Sequence, residues 1–252
     1  MTTKNLFTLT LLKAIDILDC FEDDRQEIGI KEIAEMIGMP QSSVYRIIQS
    51  LEFIGMIFQN KENKKYRLGA KVMQMATKVN CLERLKAIAI KYMEQLNEEC
   101  DENINLAIAD CDEIINVHKV ESSQLLRPNF VSGHKYSIYN TSLGKIFLAN
   151  MSSSALQWVY EEHKSEIGKP YDEFKYDVEQ VKQSGYAIDD EEFNEGLRCV
   201  GAPIYGYGGN VLFSMSLSAP ISRMDDERFK RAITLVVKYA QLATKEIQST
   251  SF

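Results

Sequence analysis

The sequence predicts an α+β protein in two parts, and three observations carry that expectation. Through the first third of the chain apolar residues recur every three or four positions, the period of helices packed on one side. Between 104 and 218 most of the apolar runs are short, rich in β-branched residues and bounded by turn residues, which signals a mainly antiparallel sheet. Helical patterns flank and interrupt that region, the last and longest over 225–247.

The elements of the first part follow in order. A helix is expected over 8–22, with Leu11, Leu12, Ile15 and Leu18 on its buried side, followed by a loop containing Glu22, Asp23, Asp24 and Gly29. IKEIAEMI then places Ile30, Ile33, Ala34 and Ile37 at helical spacing, and Gly38-Met39-Pro40 stops that helix. A second amphipathic run, QSSVYRIIQSL, carries Val44, Ile47, Ile48 and Leu51 on one face. MIFQ and KYRL read as a short hairpin around the polar tip Asn60-Lys61-Glu62-Asn63-Lys64. Two short helices, a tight turn and a β-wing make a winged helix-turn-helix, whose second helix can enter a major groove. This domain is assigned to residues 1–68, a linker helix to 69–80, and a second domain to 81–252.

The formal net charge of −7 argues at first against a nucleic-acid binder, but it hides a local contrast. Between Pro40 and Lys78 seven basic residues face two acids, a local balance of +5 that leaves −12 on the rest of the chain. A DNA binder needs a basic patch, not a basic protein. Gln41, Ser42, Ser43, Tyr45 and Arg46 face away from the apolar stripe of the second helix and are types that reach bases and phosphates. Lys61, Lys64, Lys65 and Arg67 of the wing would add sequence-independent phosphate contacts. A solvated hairpin tip would carry the same lysines, and winged helices also serve as protein-contact modules.

The five cysteines are scattered and show no zinc-ligand spacing, so neither metal nor cofactor is expected and the thiols suit a reducing cytoplasm. No signal peptide and no membrane-spanning run is legible. Asn140-Thr141-Ser142 matches a glycosylation sequon that has no meaning without secretion.

In the second part, Leu82, Leu85, Ile88, Ala89, Tyr92, Met93 and Leu96 mark an amphipathic helix over 82–98. INLAIA and EIINVHKV are strands joined by the turn Asp110-Cys111-Asp112. Helices are expected over 141–150 and 153–162, capped by Thr141 and Ser152, and over 172–183, ended by Gly185. GYAIDD, RCVGAPIY and NVLFSMSLS give three more strands, the last two joined by Tyr205–Asn210; the glycines there form a hairpin and lack dinucleotide-binding spacing. His118, His134 and His163 are isolated, and no GxSxG supports a catalytic triad.

Nearly the whole chain resembles the IclR family of bacterial transcription regulators. TLLKAIDILDCF and IKEIAEMIGMPQSSVYRIIQSLEFIGMI are similar to the family's helix-turn-helix domain. LRPNFVSG, TSLGKIFLA, GYAIDDEEFNEGLRCVGAPI and SLSAPISR are similar to its effector-binding domain. The resemblance implies a GAF-like ligand-binding domain, a homodimer that often pairs into a tetramer, a double-stranded DNA operator, and control of catabolic genes by a small organic acid or related metabolite. It also implies that the pocket falls on Asp189, Cys199, Ser216 and Ser218, with the backbone of Ser142 and Leu143 near the ligand and Leu125 and Arg127 at the mouth.

The residues themselves agree with a pocket. Thr141–Lys145 starts a helix whose free N–H groups favour an anion, and Ser216 and Ser218 share a strand face. Alternatives remain for each: Asp189 precedes Asp190, Glu191 and Glu192 in what could be a solvated acidic loop, Cys199 could be an inert buried thiol, and the serines could simply fill a strand face. A ligand-responsive, cytoplasmic DNA-binding regulator without enzymatic activity is the leading expectation. The alternative is an enzyme acting on a small acid, with the winged helix as a dimerisation element.

Overall fold

The computed structural model describes residues 9–21, 27–76 and 80–250. The chain divides into two compact units, Met1–Glu83 and Arg84–Phe252.

In the first unit, α1 (Leu9–Leu18), α2 (Ile30–Met36) and α3 (Gln41–Phe53) surround one apolar core, with β1 (Ile57–Gln59) and β2 (Tyr66–Leu68) as the wing. Ile17, Ile28, Ile33, Val44, Ile48 and Ile57 are almost wholly buried in that core. The stop between α2 and α3 is made by Gly38 at φ +65°, where an L side chain would be strained, and the Met39 amide donates back to the Ala34 carbonyl at 3.0 Å. Pro40 then leads into α3. Ile28 bridges to Tyr66 through two backbone hydrogen bonds, which adds a third short strand segment to the wing.

One expectation for α1 fails. Leu11, Leu12 and Ile15 are 66, 46 and 49% exposed, whereas Ile17 is buried and Ala14 and Leu18 pack beside it. α1 is apolar on more than one side, so hydrophobicity alone does not choose its inward face; packing against α3 does. The helix also ends earlier than expected, and the acidic residues 22–24 lie outside the described residues. α4 (Ala70–Ala76) occupies the first part of the expected linker; Met73 and Met75 on it are exposed, and 77–79 lie outside the described residues.

The second unit is built on a six-stranded antiparallel sheet in the order β5-β4-β3-β8-β7-β6. Its strands are β3 (Asn103–Asp110), β4 (Glu113–Val120), β5 (Lys135–Ser137), β6 (Ala187–Asp190), β7 (Leu197–Tyr205) and β8 (Val211–Pro220). The helices are α5 (Asn80–Cys100), α6 (Ser142–Leu148), α7 (Ser153–Glu162), α8 (Lys164–Ile167), α9 (Tyr171–Ser184) and α10 (Asp226–Ser249). Thr141 and Ser152 cap α6 and α7 through their side chains, and Gly185 ends α9 at φ +75°. Gly206–Asn210 closes the β7–β8 hairpin with a bond from the Gly206 amide to the Asn210 carbonyl. β5 and α8, three and four residues long, are too short for a hydrophobic period to announce them.

Strand register sorts the sheet into two unlike faces. Ile104, Leu106, Val200, Ala202, Ile204, Met215 and Leu217 alternate onto an apolar face. α10 packs on β7 and β8, and Lys91 and Tyr92 of α5 share the Glu246 carboxylate of α10 at 2.7 and 2.6 Å. The other face, toward α6, carries Asn103, Asn105, Ser214, Ser216, Ser218, Cys199 and Asp189. α6 sits so close to this face that a Cβ on Gly201 would lie 2.8 Å from the Ser142 carbonyl oxygen. A Cβ on Gly144 would lie 2.3 Å from the Ile138 carbonyl oxygen.

Candidate nucleic-acid interface and ligand site

α3 separates its residues cleanly. Val44, Ile48 and Leu51 are buried with Ile47, while Gln41, Ser42, Tyr45 and Arg46 are exposed and Ser43 is half-buried. The Tyr45 hydroxyl accepts a 2.8 Å hydrogen bond from the Gln49 amide, which steadies the ring on the outer face. No side chain caps α3, so the amides of its first turn and the hydroxyls of Ser42 and Ser43 sit together at the end that meets phosphates in helix-turn-helix proteins.

The wing tip is ordered by its own amides. Asn60 and Asn63 accept from the Glu62 and Lys65 backbone N–H groups, and Lys64 takes the left-handed conformation at φ +61°. The amides of both asparagines donate to Glu27, holding its carboxyl below the ordinary range, Asn63 more than Asn60. Lys61 and Lys64 project into solvent. Lys65 is half-buried and lies 3.5 Å from Glu32, and Arg67 stacks on the Phe58 ring at 5.2 Å. The four wing cations therefore differ: Lys61, Lys64 and Arg67 are exposed, Arg67 against an aromatic ring, while Lys65 faces a carboxylate.

In the second unit the structure brings four of the expected residues onto one buried face. Asp189 opposes Cys199, Cys199 opposes Ser218, and Ser216 opposes Gly201 two positions along the same strand. Strand register sets Cys199 between Asp189 on one side and Ser218 on the other. Burial pushes its thiol well above the usual cysteine value, and the Asp189 carboxylate adds to the shift. Asp189 is not in a solvated loop. Its Oδ1 accepts the Glu192 and Phe193 amides at 2.9 and 3.1 Å, fixing the turn after β6. Burial raises its pKa, and the two amides and the Lys145 charge oppose that rise.

The remaining expected residues are placed differently. Ser142 lies against Gly201 through its backbone, while the Leu143 side chain is buried in the apolar cluster with Phe147, Leu148 and Val159. The Thr141 hydroxyl takes the Gly144 amide. Leu125 is fully exposed in the 121–134 loop, and Arg127 on that loop is bound to Glu121 and the Gln124 carbonyl. A cavity of about 560 Å³ opens between α6, α9 and β6, lined by Tyr139, Lys145, Phe174, Tyr186 and Glu192 among others; none of the eight expected residues lines it.

Several neighbours of the polar face escape a reading of the sequence alone. Asn103 accepts the Ser122 amide at 2.8 Å and donates to the Pro128 carbonyl, tying both limbs of the 121–134 loop to β3. Asn105 donates to Ser218 at 3.3 Å. Phe130, Tyr136 and Phe193 form an aromatic cluster with ring centroids 5.2 to 6.0 Å apart, packed with Leu197 and Cys199. The signal that could have found the two asparagines is the alternation in NINLA and SMSLS, which puts polar groups on one face of adjacent strands.

Among the described residues no group of three or more His, Cys, Asp and Glu side chains is placed to hold a metal ion. No helix among them is long and apolar enough to cross a membrane.

Comparison with known proteins agrees with this architecture. Residues 10–61 match the IclR helix-turn-helix domain and residues 77–244 match the bacterial transcriptional regulator IclR C-terminal domain. The chain is 29% identical to the HTH-type transcriptional regulator KdgR of Escherichia coli over 90% of this chain and 88% of that protein. It is 26% identical to the transcriptional repressor IclR of E. coli over 93% of this chain and 88% of that one. Among solved structures, the Thermotoga maritima IclR superposes with a TM-score of 0.70 at 26% identity, covering 95% of this chain and 99% of that one. An IclR homolog from Microbacterium hydrocarbonoxydans, complexed with 4-hydroxybenzoate, superposes with a TM-score of 0.80 at 16% identity, covering 96% and 100%. The curated relatives are regulators and repressors, which sets aside the reading of the second domain as an enzyme. With both halves matched, the chain belongs to the IclR family of bacterial transcriptional regulators.

Proposed function

We propose that this regulator reads a double-stranded DNA operator through α3 and the wing, and that a small organic acid bound on the polar face of the sheet controls that reading. The observation that carries the proposal is the buried file Asp189, Cys199, Ser218 and Asn105, polar side chains gathered on one inward face of the sheet. The acid class is supported by the Microbacterium relative, whose structure contains 4-hydroxybenzoate. Ser142, Leu143, Asp189, Cys199, Ser216 and Ser218 are assigned to the pocket and Leu125 and Arg127 to its mouth. Gln41, Ser42, Ser43, Tyr45, Arg46, Lys61, Lys64, Lys65 and Arg67 are assigned to DNA.

The regulator works in the cytoplasm as a homodimer, or as a tetramer of paired dimers. The exposed stripe Leu11, Leu12 and Ile15 on α1 supports self-association, since a second copy would cover it. Two recognition helices in a dimer must meet half-sites about 34 Å apart or a multiple of that distance. An effector that binds one dimer geometry better shifts the population between matched and mismatched spacings, so nearby catabolic genes respond to the acid.

The test is a titration of the full-length protein against DNA from upstream of its own gene, repeated over a salt series and with small carboxylic acids added. Specific binding that falls steeply with salt, and that changes when an acid is present, is expected. Salt-insensitive failure to bind any DNA would reject the DNA-reading assignment. Unchanged binding in every acid, together with no thermal shift, would reject the effector assignment.

A further inference from the structure

We infer that the cavity between α6, α9 and β6 is a second ligand site, built for an amino acid with a large apolar side chain. It stands apart from the effector reading of the polar face.

The edge of the sheet supplies one half of the site. β6 is the last strand in the sheet order, so no strand covers its outer edge. The Glu191 amide bonds the Leu197 carbonyl, and bonded residues alternate along an antiparallel pair. Ile188 therefore turns its N–H and C=O the other way, to the outer edge, where the Lys145 ammonium donates to the carbonyl at 2.8 Å. Ile188 and Lys145 both line the cavity. A carboxylate placed there would meet a strand N–H and an ammonium together.

Glu192 supplies the other half. Its carboxylate, 47% exposed, accepts from the same ammonium at 2.5 Å and also lines the cavity. A simple anion bound at Lys145 would be repelled by Glu192, and a simple cation bound at Glu192 would be repelled by Lys145. A zwitterion opens the pair and gives each half a partner, with the local charge unchanged. Its carboxylate goes to Lys145 and its ammonium to Glu192.

The walls set the side chain. Leu148, Phe174, Val178, Val181, Tyr186 and Ile188 enclose most of a cavity of about 560 Å³, a size that suits a small organic ligand. Lys169 and Asp177 at its border are paired with each other, which leaves the walls neutral. A smaller hollow of about 260 Å³ shares Tyr139, Lys169, Phe174 and Glu192 with it and reaches Asn140. The Asn140 side-chain oxygen is shielded from solvent and has no partner among the described residues. Buried polar atoms are rarely left so, and an amide can serve either end of a zwitterion. Glu192 also gives its backbone amide to Asp189, so the cavity and the polar face share one residue without sharing side chains.

Isothermal titration of the full-length protein with L-phenylalanine and L-leucine, against hydrocinnamate and phenethylamine, tests this. The two analogues keep the ring and lack the ammonium or the carboxylate. Each should bind roughly tenfold or more weakly than L-phenylalanine, the scale of one charge-assisted hydrogen bond. Glu192→Gln should weaken L-phenylalanine and phenethylamine by a similar factor and leave hydrocinnamate as tight or tighter. The comparison of ligands on the parent protein decides the charge pattern whatever Glu192→Gln does to Tm. Hydrocinnamate or phenethylamine binding as tightly as L-phenylalanine overturns the zwitterion. L-phenylalanine binding that Glu192→Gln leaves unchanged overturns the site. Binding lost with Ser216→Ala but kept with Glu192→Gln moves the amino acid to the polar face and overturns it too. If neither amino acid binds, the inference fails, and the effector reading stands or falls on its own titration.

Discussion

On α3, Gln41, Ser42, Tyr45 and Arg46 stand in solvent above a stripe of buried isoleucine, valine and leucine; on β8, Ser214, Ser216 and Ser218 are themselves the buried residues. The first unit keeps its chemistry outside its core, and the second carries it on a face turned inward. A residue on α3 can change without disturbing the packing beneath it. Asp189, on the polar sheet face, is bound to the fold through the Glu192 and Phe193 amides. Alterations at Arg46 and at Asp189 should therefore separate affinity from stability in the first unit and couple them in the second.

The largest expected effect breaks the inward-facing site. Gly144→Ala would place a methyl group 2.3 Å from the Ile138 carbonyl oxygen, forcing α6 away from the segment that follows β5. A loss of about 3 kcal/mol in urea unfolding is expected; a variant as stable as the parent would show that α6 moves freely. Arg46→Ala comes next and should separate affinity from stability: operator affinity falls roughly tenfold to a hundredfold while Tm stays within a degree or so. An Arg46→Ala protein that binds its specific site normally would remove the residue from the interface. Smaller still, Lys61→Ala and Lys64→Ala should each lower the slope of log K against log salt by roughly 0.9, and by less for any lysine that makes no phosphate contact.

The smallest effect concerns a residue that belongs to neither type. Asp101 is half-buried and committed to structure, accepting the Ser123 amide and hydroxyl and the Gln124 side chain. These bonds, the Ser123 amide first, hold its carboxyl at about 2. Its folded value lies below the unfolded one, so its contribution is complete above about pH 4 and is lost as pH falls toward 2. Amide exchange at Ser123 should accelerate across that window, and Asp101→Asn should remove the step; a step that survives the substitution belongs to another group.

The first unit was legible in the sequence because its rule is simple. Val44, Ile47, Ile48 and Leu51 repeat at helical spacing, Gly38 marks the turn, and whatever lies off the stripe is surface. The exception is α1, where Leu11, Leu12 and Ile15 are as apolar as the residues that pack, and only tertiary contact with α3 chooses between them. In the second unit the strands and caps were legible, but the site was only half so. Asp189, Cys199, Ser216 and Ser218 came from family resemblance. Asn105 and Ser218 lie 113 positions apart in sequence and meet through the pairing of β3 with β8, a register no local pattern specifies. Leu143 illustrates the same limit, since its backbone can serve the site while its side chain fills the core.

Asn103 anchors the 121–134 loop at both ends. Its amide clasps Ser122 on one limb and Pro128 on the other, and between those points Asp101 and Arg223 hold Ser123, Gln124 and the Leu126 carbonyl, while the Leu125 and Leu126 side chains stand in the open. The loop is thus a fixed frame with two free side chains at its tip. Exchanging those two would change what the tip touches while the frame and the strand beneath keep their bonds.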